Sequence, residues 1–249
     1  MIAAVLLIAA LSVGGAAWYA SNRTAPVFEP PPSAPRSTPG DAVEARAPVL
    51  AFYGDWYVSG TSQGGIGPAG WPAIVSQRIG AEGTAPHAVT DAGYVATSAT
   101  AADTFVTLAV NNPEPRADVT IVFGSRNDYE VGAAEITAAA TRTFDAIRAA
   151  APQTQLLVIG PAWTDPAVPP ELPPVRDAVQ RAAEVAGATF IDPLADRWFF
   201  DEPSLISTDA ISPTDTGHAY LADRIEPVVR QLLTDAPGIE LPGEATSTP

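Results

Sequence analysis

Short apolar runs alternate with longer amphipathic stretches through the middle of the chain. The apolar runs predict buried strands at Val49–Tyr53, Val119–Phe123, Leu156–Ile159 and Thr189–Ile191. The amphipathic stretches predict helices at Trp71–Ile79, Val131–Ala150, Val175–Ala186 and Pro213–Leu233. Strands joined by helices of this length form parallel pairs, because the crossover has to return to the same end of the sheet. We therefore predict an α/β domain whose parallel sheet is covered by helices on both faces, with functional residues in the loops after the strands.

Both ends of the chain depart from this pattern. Residues 2–20 carry no charge, and about 20 apolar residues suffice to cross a bilayer as a helix. Trp18 and Tyr19 stand where aromatic residues mark a membrane interface, which favours an uncleaved anchor. A cleaved signal peptide is the alternative, because small residues follow the apolar stretch Ile2–Val13. We divide the chain into an anchor or signal peptide (1–21), a Pro-rich linker (22–46), a folded domain (47–235) and a disordered tail (236–249).

The order of these segments predicts a location. A proline-rich linker is a semi-rigid spacer, which holds a folded domain away from a surface. We expect a single-pass protein of the cell membrane, attached through residues 2–20, with its domain on the extracytoplasmic side. If the N-terminal segment is cleaved, the protein is secreted instead.

Charge and composition exclude several classes of function. The 13 cationic residues, all arginine, face 28 acidic ones, for a net charge of −15. Such a chain repels phosphate backbones, so we expect no nucleic-acid partner. The chain has no cysteine and only two histidines, which excludes thiolate catalysis and multi-histidine metal sites. We expect no metal and no cofactor.

Three short segments at the predicted strand ends and before the last helix carry the most informative residues. They are Gly54–Gly60, reading GDWYVSG; Gly124–Asp128, reading GSRND; and Asp209–Pro213, reading DAISP. Their order resembles that of the SGNH (GDSL-type) hydrolases, a family of esterases and acyl-transfer enzymes whose corresponding blocks read G-D-S-Y-T-x-G, G-G-R-N-D and D-x-x-H-P. The resemblance covers most of Val49–Leu233. It implies a flavodoxin-like three-layer α/β/α fold with a parallel five-stranded sheet.

The same resemblance assigns roles to four positions. Asn127 matches the side-chain donor of the oxyanion hole, and Asp209 matches the residue that orients the catalytic histidine. Trp56 stands where the family has its nucleophilic serine, and Ser212 stands where it has that histidine. An indole offers only an N–H donor, and a hydroxyl cannot replace imidazole as a base near neutral pH. We therefore predict a divergent member that lacks the nucleophile and the base and is catalytically inactive.

Other positions in these blocks also depart from the family or have two interpretations. Ser125 replaces a glycine, and the second-block glycine falls on Asp91 or Gly93. Asn127 and Asp128 could instead cap a turn, and Arg126 could pair with an acid or clamp a carboxylate. Ser212 with Pro213 predicts the start of the last helix, with serine as N-cap. The residues that we expect to line a binding site are Gly54, Asp55, Trp56, Gly93, Arg126 and Asp128.

The two histidines are predicted to lie outside the site. Asp215 and His218 have a catalytic-looking spacing, but Pro213 follows Ser212 as it follows the base in the family. Six residues of helix rotate a side chain by about 240°, so His218 would face away from Ser212. We expect His218 to be a surface or helix-packing residue, and His87 to be structural.

These observations leave three hypotheses of function. The favoured one is an inactive binding module for an acylated glycan or another cell-envelope ester, or for a membrane acyltransferase. The second is an active esterase or acyl-transfer enzyme that uses Ser59 or Ser62 as a relocated nucleophile. The third is a purely structural domain.

Overall fold

The computed structural model describes residues 46–98, 101–234, 239 and 241. The N-terminal segment and nearly all of the linker and tail therefore lie outside the described residues. Within them, no helix is both long enough and apolar enough to cross a bilayer. Arg46, from the predicted linker, and Ile239, from the predicted tail, form an isolated parallel bridge with each other. Ile239 and Leu241 pack against the domain core through their apolar side chains.

Six short strands and six helices are formed in the described residues. The strands are β1 (Val49–Gly54), β2 (Glu82–Gly83), β3 (His87–Ala88), β4 (Val119–Phe123), β5 (Gln155–Ile159) and β6 (Thr189–Ile191). The helices are α1 (Trp56–Ser59), α2 (Trp71–Ile79), α3 (Phe105–Asn111), α4 (Ala133–Ala150), α5 (Leu172–Val185) and α6 (Asp215–Thr234).

All strand pairs are parallel, in the order β2-β1-β4-β5-β6. The short strand β3 also pairs with β1, beside its second half, whereas β2 pairs beside its first half. Together β2 and β3 fill one edge position, so the sheet is five positions wide. The predicted α/β fold with a parallel sheet covered by helices is confirmed, and the sheet has six strands in five positions where five strands were predicted.

Successive residues of β1 point to opposite faces of the sheet, as the pleat requires. Leu50 and Phe52 belong to one buried cluster, which includes side chains of α1, α2 and α6. Ala51 and Tyr53 belong to a second cluster, which includes side chains of α3, α4 and α5. Both faces of β1 and β4 are buried, which explains why these strands are apolar throughout.

The strand register brings the carboxyl ends of the central strands to one edge. Gly54 pairs with Phe123, Phe123 with Ile159, and Ile159 with Ile191. The loops after β1, β4, β5 and β6 therefore leave the sheet side by side. This alignment places residues from distant parts of the sequence around one site.

The predicted start of the last helix is wrong. Ser212 and Pro213 do not cap it: Pro213 forms an isolated antiparallel bridge with Ile206, and the Ser212 carbonyl accepts a hydrogen bond from the Ser207 amide. The cap is Thr214, whose hydroxyl accepts a hydrogen bond from the Gly217 amide at 3.1 Å. Threonine is a good N-cap, and the long-range pairing of Ser212 and Pro213 cannot be read from local preference.

Other differences are smaller. Helix α5 begins at Leu172 rather than Val175, because prolines are tolerated in the first turn, where the amides have no partner within the helix. The sequence patterns did not predict α1, α3, β2 or β3, which are four, seven, two and two residues long. A capping box of Thr104 and Thr107 begins α3 and was the available signal.

The close approach of β1 and β4 at Gly54 yields the first prediction. A Cβ at Gly54 would lie 2.3 Å from the Phe123 carbonyl oxygen and 2.5 Å from a Val58 methyl carbon. We expect Gly54→Ala to lower the free energy of unfolding by about 2–3 kcal/mol, because backbone has to move to admit it. Urea denaturation followed by circular dichroism measures the change.

The control for this prediction is Gly132→Ala. A Cβ at Gly132 meets no atom within 4 Å, and its φ of −65° is open to any residue. We expect a loss below about 1 kcal/mol, from the poorer N-cap alone. Equal losses in the two variants would contradict the close-approach argument.

Candidate active site

Asp55 lies immediately after β1 and is fully buried. Its Oδ1 accepts a hydrogen bond from the Tyr57 amide at 2.9 Å, which makes it the N-cap of α1. Burial raises the pKa of Asp55 to about 7, although the Tyr57 hydrogen bond and the charge of Arg126 act in the opposite direction. Trp56, the next residue, is 7 % exposed and begins α1 directly at the end of the strand.

Asn127 joins the loop after β4 to two other loops. Its Nδ2 donates to the Ala92 carbonyl at 2.8 Å and to Asp55 Oδ2 at 3.3 Å. The first and third blocks therefore meet, as the resemblance implies. The amide that matches the family's oxyanion donor is used here to hold neighbouring loops together.

Asp128 organises the loop before α3. Its carboxylate is fully buried and accepts the Ser125 hydroxyl at 3.0 Å. It also accepts three successive backbone amides, at 2.7–3.0 Å, from Tyr94, Val95 and Ala96. All these partners belong to the protein, so Asp128 has a structural place here, although the sequence suggested it as a binding residue.

The second-block glycine falls on Asp91 or Gly93, and both positions have a conformation or contact that restricts the residue. A Cβ at Gly93 would lie 2.5 Å from Asp128 Oδ2, so only glycine admits this carboxylate. Asp91 adopts a left-handed backbone with φ of 64°, which aspartate tolerates better than most residues. Ser125, which replaces the third-block glycine, is held at φ of 96°. Its hydrogen bond to Asp128 compensates part of the strain of that conformation.

Asp209 caps the turn that contains Ser212. Its Oδ1 accepts the Ile211 and Ser212 amides, both at 2.8 Å. Burial favours a higher pKa for Asp209, but the amide and hydroxyl hydrogen bonds and the charge of Arg126 outweigh it and lower the pKa. Asp209 therefore remains ionised. The Tyr57 hydroxyl donates to the Ile211 carbonyl at 3.3 Å and so connects this turn to α1.

A cavity of about 370 Å³ opens where these loops meet. Its walls include Trp56 from the first block, Arg126 and Asn127 from the third, and Ile211 from the fifth. Trp163, in the loop after β5, also lines the cavity and was missed by the sequence analysis; the other lining residues are Tyr129, Pro169, Glu171 and Leu172. Its position shortly after a strand end was the one available signal. The guanidinium carbon of Arg126 lies 4.5 Å from the Trp163 ring centroid and 5.8 Å from that of Trp56.

Neither histidine of the chain lines this cavity. His218 is fully buried in α6, where its Nδ1 accepts the Trp71 amide at 3.4 Å and its ring lies against Gly65. Burial lowers the pKa of His218 to about 4, against the opposing charge of Asp215, so the ring is neutral. His87 Nε2 contacts Glu114 Oε1 at 2.7 Å. The structure thus places His218 as a helix-packing residue.

The two serines considered as relocated nucleophiles are also absent from the cavity walls. The Ser59 hydroxyl donates to the Gly60 carbonyl at 3.2 Å, and Ser62 is exposed in the following turn. In the described part of the chain, neither serine is hydrogen-bonded to a histidine.

The fold and the order of the blocks define an SGNH-type α/β protein, and comparison with known sequences agrees. Residues 52–220 match the GDSL-like Lipase/Acylhydrolase family. A GDSL lipase of Mycobacterium tuberculosis is 38 % identical over 204 residues, which span 80 % of this chain and 88 % of the relative. The chain therefore belongs to the GDSL-like lipase/acylhydrolase family.

Solved structures show the same fold at low sequence identity. A family two carbohydrate esterase of Corynascus thermopiles matches with a TM-score of 0.61 at 17 % identity, covering 82 % of this chain and 69 % of that one. An aryl esterase of M. smegmatis matches with a TM-score of 0.56 at 17 % identity, covering 76 % and 100 %. At such identities the likeness is one of fold.

The buried carboxyl of Asp55 yields a prediction about pH. Its folded-state pKa of about 7 lies above that of an unfolded aspartate, roughly 3.9, so the folded state binds the proton more tightly. The stability that protonated Asp55 contributes is complete below about pH 4 and is lost as the pH rises to about 7. The free energy of unfolding, relative to Asp55→Asn, should fall by at most about 1.4 kcal/mol per pH unit in this window. Denaturation at several pH values measures it.

Asp209→Asn is the matched control, since the pKa of Asp209 is lowered and not raised. The wild type should gain stability relative to this variant as the pH rises through the acid range, which is the opposite sign. Carbon-13 NMR of the two carboxyl groups reads the titrations directly. An Asp55 carboxyl that titrates near 4 would contradict the assignment.

Proposed function

We propose that this chain is a non-hydrolytic member of its family, which binds an acyl ester such as an acylated glycan of the cell envelope. We further propose that residues 2–20 tether it to the cell membrane with the domain on the extracytoplasmic side, or direct its export. A membrane acyltransferase is the protein partner that this placement favours. The partner and the placement rest on the sequence of the N-terminal segment and on analogy with the fold.

The observation that carries the proposal is the type of residue at the positions of the nucleophile and the base. Trp56 fills the nucleophile's place next to the Asn127 loop, and Ser212 occupies the base's place beside Asp209. Both histidines of the chain are engaged elsewhere. A serine hydrolase needs a nucleophile within hydrogen-bond reach of a base, and this cavity offers neither.

The cavity nevertheless has the features of a binding site. It combines aromatic and aliphatic walls with a few polar groups, which is typical of small-molecule sites of this size. Tyr129 and Ile211 line it and remain 52 % and 40 % exposed, so an apolar ligand would cover apolar surface. Burial of this apolar surface would stabilise the bound ligand, and no chemical step is needed for that.

An active esterase is the competing candidate, and one observation favours it. The M. tuberculosis relative, 38 % identical, is named a lipase. In this chain, activity would require Ser59 or Ser62 to act from outside the cavity. The following two experiments separate the candidates.

Restoring the two missing groups should restore hydrolysis. We expect the double variant Trp56→Ser, Ser212→His to hydrolyse a small activated ester such as p-nitrophenyl acetate, because Asn127 and Asp209 are still in place. Neither single variant should do so, since a serine without a base is not activated. Recovery will be modest, because Asn127 Nδ2 already donates to Ala92 and Asp55, and each oxyanion donor that is missing costs roughly 10²–10³ in rate.

Trp56→Ser alone is the folding control for that experiment. It carries the same cavity, which costs about 3–5 kcal/mol if the surroundings do not collapse. Circular dichroism and thermal melting establish whether both variants fold. A folded double variant no faster than its single parents would show that the blocks are misassigned.

The wild type should not react with a fluorophosphonate, which labels activated serines. We expect no labelled peptide by mass spectrometry. Any residual esterase rate should differ by less than about threefold between the wild type and His218→Ala, because the His218 ring lies outside the cavity. As a positive control, a trypsin-class serine hydrolase treated in the same way should be fully labelled. A label on Ser59 or Ser62, or a hundredfold loss in His218→Ala, would replace the proposal with the relocated-nucleophile enzyme.

A further inference from the structure

We propose that the cavity recognises its ligand through a carboxylate, held by Arg126 between the indoles of Trp56 and Trp163, with the ligand's apolar body against the cavity wall. This inference rests on the proposed binding function and specifies the chemistry of the ligand. The ligand is then an ester or glycan that carries a free carboxylate.

The first supporting observation is the state of Arg126. Within residues 46–98 and 101–234, it forms no ion pair, and its Nη1 is buried without a hydrogen-bond partner. The chain has more than twice as many acidic residues as arginines. A buried donor without a partner costs about 1–3 kcal/mol. The guanidinium has no carboxylate in ion-pair contact, although Asp55 and Asp209 lie close enough for its charge to act on their pKa values.

The second observation concerns the two indoles. Trp56 Nε1 and Trp163 Nε1 are also buried and without a hydrogen-bond partner in the described part of the chain. All three unpartnered N–H groups belong to residues that line this one cavity. The wall residues therefore hold three donors without an acceptor. Because these atoms are closed to solvent, a ligand oxygen reaches them only when the side chains rotate toward the cavity.

The geometry of Arg126 favours a carboxylate among possible acceptors. Its guanidinium lies over the Trp163 ring at 4.5 Å and near the Trp56 ring at 5.8 Å. Stacking occupies the faces of the planar guanidinium and leaves its N–H groups at the edge, where a carboxylate binds with two parallel hydrogen bonds. The stack also orients the guanidinium before the ligand arrives, which lowers the entropic cost of binding.

Nearby acidic residues limit the ligand to one negative charge. Glu171 lines the cavity, and the ionised Asp209 lies close enough to interact with Arg126. Asp55 also interacts with the charge of Arg126, but its oxygens accept hydrogen bonds from the Tyr57 amide and from Asn127 Nδ2. A single guanidinium among these carboxylates balances a monoanion better than a phosphate dianion.

Three probes that share a benzene ring but differ in charge test whether the cavity prefers a carboxylate. Monomethyl phthalate carries an ester and a carboxylate, dimethyl phthalate carries two esters and no charge, and phenyl phosphate is a dianion at neutral pH. Isothermal titration calorimetry gives the affinities, and tryptophan fluorescence reports contact with the indoles. We expect monomethyl phthalate to bind at least about tenfold more tightly than either of the others.

Variants test the residues. Arg126→Gln should weaken monomethyl phthalate about tenfold to hundredfold and remove its preference over the dimethyl ester. Arg126→Lys keeps the charge without the planar fork and should give an intermediate loss. Trp163→Phe keeps the ring without the N–H and should cost about threefold to tenfold. Arg224→Gln is the matched control, because Arg224 also lies 5.0 Å from an aromatic ring, that of Tyr220, but is not in the cavity wall.

The outcomes separate this inference from the proposed function. Equal binding of the mono- and dimethyl esters, tighter binding of phenyl phosphate, or no binding of any probe by the wild type would overturn the carboxylate inference. Hydrolysis of either phthalate ester during the titration, detected by chromatography, would overturn the proposed function instead. An equal loss in Arg224→Gln and Arg126→Gln would attribute the effect to net charge and would also overturn the inference.

Discussion

The hydrogen bonds made by Asn127 connect the loops on which the whole site depends. Its amide nitrogen contacts the Ala92 carbonyl and the buried carboxyl of Asp55, and so links the loops after β1, β3 and β4. These loops leave the sheet side by side because Gly54 and Phe123 are in register. Buried polar groups are costly unless they are paired, so loss of this amide would leave Asp55 Oδ2 and the Ala92 carbonyl without this donor. The same contact places Trp56 against Arg126.

The chain has the fold of its family, and on the alignment that underlies our proposal Trp56 and Ser212 stand at the positions of nucleophile and base. Asp209 still caps the turn that carries the base position, and its pKa remains lowered by the same backbone amides. Asn127, which matches the family's oxyanion donor, now holds loops together. Capping and loop-closing hydrogen bonds of this kind stabilise the fold whether or not a reaction follows.

Trp56 gives the cavity an aromatic wall at the position where our proposal places the family's serine. A small hydroxyl at this place leaves room for a reacting carbonyl, whereas an indole fills that room and adds an aromatic wall. Together with Trp163 it brackets Arg126, which has no carboxylate partner in the described residues. The electrostatics of the site thus favour a ligand that supplies a negative charge, within a domain that is strongly acidic overall.

The sequence by itself determined the long elements, the parallel sheet and the three blocks that place the chain in its family. Hydrophobic periodicity carries this information wherever a strand is buried on both faces or a helix on one, as at Val119–Phe123 and Trp71–Ile79. Hydrophobic periodicity gives no clear signal in segments as short as α3 or β3, where contacts with the rest of the fold decide the conformation. It also misplaced the cap of α6, because the bridge between Pro213 and Ile206 competes with local preference. Only the tertiary structure showed that Trp163 contacts Arg126 and that Asp128 binds the backbone of the loop before α3. Both contacts depend on which strand ends lie side by side.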